Sequence, residues 1–380
     1  MNKNIVYLGI VSFFTDMATA MTVPLIPIYI VYALHEGVDK VGIIASLSAF
    51  VSYGLRFFSG YISDRYGIVK PLVVTGYLFS AFSKPLLAFT ADWRGVALLR
   101  SLERFGKALR SAPKDMMISY YSSKNREGKS FGFHKTLDIA GEMSGNIILF
   151  ALLYYFGSSK EIIQNIFIST AIPGVIAVII MIFFVRDIKK EKKKIRFTLR
   201  DKEKKILKVL GFYFAFIFFI FSQPFFILRA KEAGFSTHTI PLLMILFTLV
   251  QTLTSYKLGI LTDKIGAKKI LFMSMGAGFL AVLSLIDKST VWFAFLFFGI
   301  FMVGSLNALR AYISKESVNQ GTVYGIFYTF NAITASLGAL VSGYLWEHLG
   351  FNAALLFSST GMAVVLLFYA AKTLPDIKNG

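Results

Sequence analysis

Between residues 94 and 120 a largely apolar stretch carries Arg100, Glu103, Arg104, Lys107, Arg110, Lys114 and Asp115. On a helix turning about 100° per residue these side chains fall within an arc of roughly 140°. Val96, Leu99, Leu102 and Phe105 occupy other parts of the circumference. Guanidinium and ammonium groups hold anions, and carboxylates take up and release protons. A stripe of such groups in an apolar segment has to face water or partner charges. Its cytoplasmic end (Arg110, Lys114, Asp115) is also open to a simpler reading, as solvated or snorkelling side chains.

Further carboxylates sit in other apolar stretches: Asp16, Asp138 and Glu142. At a rise of about 1.5 Å per residue, Asp16 and Glu142 each lie ~16 Å from the start of their stretch and Arg104 ~15 Å. Asp16, Glu103, Arg104 and Glu142 thus share one level near a bilayer midplane, with Asp138 at ~10 Å. A carboxylate in low dielectric holds its proton more tightly, and a neighbouring Arg reverses that, so a carboxylate whose Arg partner comes and goes is a workable proton carrier. Two plainer readings stand beside this one. Asp16 bonds to the neighbouring hydroxyls of Ser12 or Thr15, and Glu142, between Gly141 and Gly145, pairs with an Arg of the charged stripe. His134, only ~4–5 Å from the start of its stretch, reads as a structural histidine near a loop.

The elements that must position these groups are legible from composition. The chain has 380 residues, is 56% hydrophobic and only 16% charged, against about 25% charged in average soluble domains. Twelve apolar stretches are long enough to cross a bilayer: 5–34, 41–62, 71–90, 94–120, 131–156, 161–185, 206–230, 239–261, 269–286, 289–313, 322–346 and 351–372. The expected fold class is an all-α membrane protein with 12 transmembrane helices in two pseudo-symmetric six-helix bundles. The expected halves are 1–186 and 206–380, joined by a basic linker at 187–205. Ala18-Thr19-Ala20 mimics a signal-peptide cleavage site, but the apolar run continues to Leu34, so an uncleaved first helix is expected.

The formal net charge is +19. Arg186 to Lys208 alone hold twelve basic residues against four acidic ones. Most other basic residues lie in short gaps between apolar runs, which is the pattern of cytoplasmic loops and not of a nucleic-acid surface. Loops on one side carry 24 Lys and Arg, and those on the other carry 5. Both termini and the linker are therefore expected in the cytoplasm, with the linker meeting anionic lipid. No nucleic acid, metal or cofactor is expected, and the chain is read as a monomer. Four His and no Cys leave little for a transition metal. Gly276-Ala-Gly278 sits in an apolar helix with no strand, there is no phosphate-binding loop, and no nucleophile–base constellation appears. The chain is accordingly read as no enzyme.

One pattern recurs. Gly60-Tyr-Ile-Ser-Asp64-Arg65-Tyr-Gly67 follows the second stretch, and Gly259-Ile-Leu-Thr-Asp263-Lys264-Ile-Gly266 follows the eighth, 199 residues later. Gly67 and Gly266 suit the positive φ of a very short turn. Gly60 and Gly259 are expected to allow close helix contact. The Asp accepts charge-assisted hydrogen bonds or faces a helix N-terminus. With this duplication the chain resembles the major facilitator superfamily along its whole length. A closer resemblance is to a prokaryotic group of permeases, through Ser12-Phe-Phe-Thr-Asp16, Pro24-x-x-Pro27, Arg104-Phe-Gly106-Lys107-Ala-Leu-Arg110-Ser-Ala-Pro113-Lys114-Asp115 and Phe131-Gly-Phe-His134-Lys135-Thr-Leu-Asp138. Ala20, Glu103 and Lys114 stand where that group usually has Glu, Asp and Arg.

The resemblance implies secondary transport by alternating access about a midplane site. On this reading Asp16, Glu103, Asp138 and Glu142 are proton-coupling candidates. Arg100, Arg104 and Lys107 hold substrate, with Gln251, Tyr328 and Asn331 as uncharged orienting groups in the second half. Gly60, Asp64, Arg65, Gly67, Arg110, Gly259, Asp263, Lys264 and Gly266 form the gate. A small anionic or zwitterionic solute is favoured, moved by proton-coupled export across the inner membrane. The alternatives are a non-transporting receptor or sensor and a proton-independent uniporter.

Overall fold

A computed structural model of the chain describes residues 2–55, 59, 62–63, 65–123, 127–188, 201–316 and 320–373. Among them the structure is helical, with no strand. The helices are α1 (Lys3–Thr22), α2 (Leu25–Ile28), α3 (Val38–Gly54), α4 (Lys70–Leu86), α5 (Trp93–Tyr121), α6 (Glu127–Phe156), α7 (Lys160–Ser169) and α8 (Ala171–Phe183). They continue with α9 (Asp201–Phe219), α10 (Gln223–Glu232), α11 (Ile240–Ile265), α12 (Ala267–Leu283), α13 (Val291–Glu316), α14 (Gln320–Leu349) and α15 (Phe351–Thr373).

Local sequence sets several boundaries. Asp92 caps α5 by accepting from the Gly95 N–H at 2.9 Å, and Ser159 caps α7 through Ile162. Pro24 ends the regular run of α1, and the chain goes on through α2 into a π-helical turn at Tyr29–Ala33. Among the described residues nine helical runs are long and apolar enough to cross a membrane, and they coincide with nine of the expected stretches. Of the other three, α3 and α12 have 17 residues each, and α5 is long enough but carries the charged stripe. Outward faces are apolar: on α8, Ile172, Val175, Ile179 and Phe183 are all exposed at helical spacing, as for contact with acyl chains. The chain is a multi-pass membrane protein.

The structure divides into two compact units: Met1–Glu36, Leu47–Ile195 and Ser236–Leu242 in one, and Gly37–Ser46, Arg196–Phe235 and Leu243–Gly380 in the other. In the first, glycines set how closely helices cross. A Cβ on Gly141 of α6 would collide with the Phe13 backbone of α1, meeting its Cα at 2.8 Å, and Gly145 abuts Met17 and Ala20. Gly76 of α4 and Gly106 of α5 face each other, each within 2.5 Å of where the other's carbonyl would meet a Cβ. In the second unit Gly338 of α14 lies against the Phe218 backbone of α9, and Gly42 of α3 against Gly343 of α14. Ser336 Oγ also donates to the Ser46 carbonyl at 2.9 Å.

The duplicated turn has one geometry in both copies. Gly67 and Gly266 have φ of +71° and +92°. Each donates its N–H four residues back, to Ser63 O at 3.0 Å and Thr262 O at 3.1 Å. The sequence expectation of close packing at Gly259 is not met: an added Cβ there reaches no described residue within 4 Å. Gly60 and Asp64 lie outside the described residues.

Replacing Gly141 by Val forces α1 and α6 apart. We expect a loss of about 1–3 kcal/mol, the usual cost of overpacking, seen as a lower melting temperature in detergent. Gly211→Ala in α9, where a Cβ meets no described residue within 4 Å, is expected to leave melting unchanged or raise it.

Candidate functional site

The charges of α5 resolve into two layers within the first unit. The first centres on Glu103, which is 3% exposed. Arg100, one turn earlier on α5, donates through Nη1 to Glu103 Oε2. Lys84 of α4 brings Nζ to 3.9 Å from Glu103 Oε1. Lys84 is itself 2% exposed and donates to Ser80 Oγ at 2.6 Å. Glu103 is thus held between two buried cations, Arg100 on its own helix and Lys84 on α4. Taking Glu103 away leaves both buried cations uncompensated. Lys84 is absent from the sequence-level site. Its signal was available, as an ionisable residue inside an apolar span, with Ser80 one turn away to receive it.

Next to this layer stand Asp16, Arg104, Lys107 and Glu142. Asp16 of α1 is half-buried and makes no hydrogen bond or ion pair with a described residue, yet lies within electrostatic reach of Lys84, Lys107, Lys114 and His134. The alternative that it bonds to neighbouring hydroxyls is overturned, because Thr15 Oγ1 donates to Val11 O at 2.8 Å and Ser12 is engaged elsewhere. Arg104 has a buried Nε with no partner among the described residues. Lys107 is exposed. Glu142 lies between the Gly141–Phe13 and Gly145–Met17 contacts, so it is level with Asp16. Its carbonyl accepts from Asn146 Nδ2 at 3.0 Å.

The second layer centres on Ser12, which is 2% exposed. Its Oγ is 2.9 Å from His134 Nε2, 3.2 Å from Lys114 Nζ and 3.4 Å from Tyr77 Oη. His134 Nδ1 is 3.4 Å from Asp138 Oδ1. Two sequence expectations are corrected here. His134 is no loop-proximal residue, since it is 5% exposed and joins α1 to α6. A Ser, a His and an Asp also stand in line, where no such constellation was expected. Alongside, Arg110 donates to Gly76 O at 3.2 Å and sits 4.7 Å above the Tyr77 ring. So neither Arg110 nor Lys114 is merely snorkelling.

The remaining candidates lie apart from this cluster. In the second unit Asn331 has a buried, unpartnered Oδ1. Tyr328 stacks near Tyr324, with centroids 6.4 Å apart. Gln251 is half-buried, with no hydrogen bond to a described residue. Asp263 and Lys264 are exposed and without partners among the described residues, and Arg65 is exposed over the Tyr66 ring at 5.7 Å. Most of the basic linker lies outside the described residues. Its first residues are anchored, with Arg186 N–H donating to Asn4 Oδ1 at 2.9 Å and Asp187 Oδ1 accepting from Lys70 N–H at 3.1 Å.

Comparison with known proteins agrees with this architecture. The family model for the Major Facilitator Superfamily matches residues 8–229 and 209–379. An uncharacterized MFS-type transporter of Methanocaldococcus jannaschii is 32% identical over 363 residues, covering 91% of this chain and 89% of that one. The multidrug resistance protein MdtH of Photorhabdus laumondii is 32% identical over 132 residues, 35% of this chain and 33% of the relative. A mutant of the nucleoside transporter NupG superposes with a TM-score of 0.81 at 14% identity, covering 97% of this chain and 99% of that one. A POT family transporter in complex with 5-aminolevulinic acid gives 0.76 at 13% identity, covering 99% and 97%. Whole-chain coverage by both the family model and a relative above 30% identity leads to one assignment: this chain is a member of the Major Facilitator Superfamily.

Proposed function

We propose that the chain is a proton-coupled secondary transporter that exports a small anionic or zwitterionic organic solute across the inner membrane. The observation that carries this reading is the charge cluster of α1, α4 and α5, in which the side chains of Asp16, Arg104 and Lys107 make no hydrogen bond or ion pair with a described residue. Buried charge is expensive in a membrane helix and is retained where it does work. We take the organisation to be twelve spans in two pseudo-symmetric halves, 1–186 and 206–380, with a cytoplasmic linker at 187–205 that meets anionic lipid. Both termini are assigned to the cytoplasm, and the chain acts as a monomer.

The chemistry follows from charge. Arg104 and Lys107 hold the anionic end of the solute, while Arg100 keeps Glu103 ionised and in place. Asp16, close to these cations, receives the cationic end of a zwitterion. A proton and an ammonium group cannot both occupy one carboxylate, so loading one releases the other, which is the logic of exchange. Asp138 and Glu142 are the further proton-coupling groups. Gln251, Tyr328 and Asn331 supply uncharged hydrogen bonds to the solute. The duplicated motif, with Gly60, Asp64, Arg65, Gly67, Arg110, Gly259, Asp263, Lys264 and Gly266, acts as the cytoplasmic gate. The likeness to a multidrug resistance protein over part of the chain supports export.

The test is flux in proteoliposomes with an internal pH-sensitive dye, screening anions, zwitterions and cationic drugs under an imposed proton gradient. One solute class is expected to move protons, and Asp16→Asn to abolish that movement while solute–solute counterflow persists. Counterflow without any proton movement in the unmodified protein makes it a uniporter, and no flux at all favours a sensor.

Arg104→Ala is expected to raise KM roughly tenfold or more, consistent with loss of a charge-assisted contact of about 1.5–3 kcal/mol. Melting should change little, because the Arg104 side chain makes no hydrogen bond or ion pair with a described residue. Glu103→Gln is expected to destabilise the protein by roughly 3–5 kcal/mol, as it strands Arg100 and Lys84 in the interior. Melting in detergent reads this directly.

A further inference from the structure

We infer that Ser12 and His134 relay a proton between Asp16 of α1 and Asp138 of α6. This rests on the proton-coupled reading above and adds to it the route.

One set of directions for the bonds around Ser12 makes a continuous donor chain. An ammonium has donors only, so Lys114 Nζ must donate into Ser12 Oγ at 3.2 Å. The single Ser12 proton then goes to the nearer acceptor, His134 Nε2 at 2.9 Å, ahead of Tyr77 Oη at 3.4 Å. A neutral His134 accepting at Nε2 carries its proton on Nδ1, which faces Asp138 Oδ1 at 3.4 Å. That oxygen is buried and has no hydrogen bond in this state, so it is open to receive one. Asp138 is more exposed than His134, 18% against 6% for the side chains, and gives the path its exit. At the other end Asp16 lies one turn from Ser12 on α1. That spacing is ~5–6 Å between Cβ atoms, a gap one water can bridge.

A transfer event balances as follows. Protonated Asp16 gives its proton through the bridging water to Ser12 Oγ, while the Ser12 proton passes to Nε2 and the Nδ1 proton passes to Asp138. Asp16 is left as carboxylate and Asp138 as acid, and Asp138 then releases the proton to the water it meets. The imidazole ends as the other tautomer, and it resets by proton exchange with water, one proton gained at Nδ1 and one lost from Nε2, with no net change in charge. The charged and titratable groups around His134 are Asp16 of α1, Tyr77 of α4, Lys114 of α5, and Lys135 and Asp138 of α6. The same three residues in line could suggest a nucleophilic serine. With Ser12 only 2% exposed, no carbonyl carbon can reach its oxygen.

The experiment compares proton flux and counterflow in the same proteoliposomes for the unmodified protein, His134→Gln, Asp138→Asn, Ser12→Ala and Lys135→Gln. His134→Gln and Asp138→Asn are expected to slow proton-coupled flux roughly 10²-fold, the lower end of what a positioned acid–base group supplies. Counterflow, which moves no net proton, should persist. Ser12→Ala breaks the link with a smaller side chain and should do the same, and Lys135→Gln should do neither. Undiminished proton flux in His134→Gln and Ser12→Ala overturns the path while leaving proton coupling intact. Loss of counterflow together with proton flux in all three variants also overturns it, in favour of a packing role. Absence of proton flux in the unmodified protein overturns the underlying coupling itself.

Discussion

One constraint governs the N-terminal unit: α5 carries seven ionisable side chains through a region where an unpaired charge is costly. Every neighbouring helix is shaped around that fact. Glu103 answers Arg100 on its own helix and Lys84 on α4. Arg110 is satisfied by a carbonyl and an aromatic face, both supplied by α4. The Gly76 carbonyl is within reach only because α4 and α5 touch through Gly76 and Gly106. Lys114 finds Ser12 on α1. The small residues are therefore electrostatic devices as much as packing ones, since they bring backbone oxygen to cations that water cannot reach.

The same accounting separates charges that hold the structure from charges left over. Arg100, Glu103, Lys84, Arg110 and Lys114 all have partners on neighbouring turns or helices. Asp16, Arg104 and Lys107 do not, although they lie beside the others. An apolar protein tolerates unpaired charge where a wet cavity solvates it or a ligand completes it. This division, more than the total of basic over acidic residues, is what the proposal of a zwitterionic solute rests on.

Much of this was legible in the residues. The stripe on α5 follows from helical periodicity, and the φ > 0 turns at Gly67 and Gly266 follow from two glycines closing very short loops. Three things were not legible, each for a physical reason. Lys84 sits near the end of an apolar span, where a long side chain can usually reach water, and only the fold turns it inward. The depth of His134 was misjudged because α6 begins at Glu127 instead of 131, which adds ~6 Å of helix above it. Ser12 gains its role from groups on three other helices, and no local pattern encodes that meeting. Gly259 shows the converse error. A glycine permits close approach, but nothing in the residue itself requires a neighbour to take the space.

The glycine contacts also say where the site can change. Gly141 and Gly145 fix α6 to α1, and Gly76 and Gly106 fix α5 to α4, through backbone contact with no slack. Ser12–His134 lies within the first pair, and Glu103–Lys84 and Arg110–Gly76 within the second. Interactions inside a fixed pair survive any motion of that pair as a body. The Lys114–Ser12 bond, and the approach of Asp16 to Lys84 and Lys107, run from one pair to the other. A coupled transporter needs a carboxylate whose cation partners change with conformation, and it needs a proton route that does not. On the proposed coupling, the first requirement would fall on the seam between the two helix pairs and the second within the α1–α6 pair, so that one short stretch of α1 would serve both.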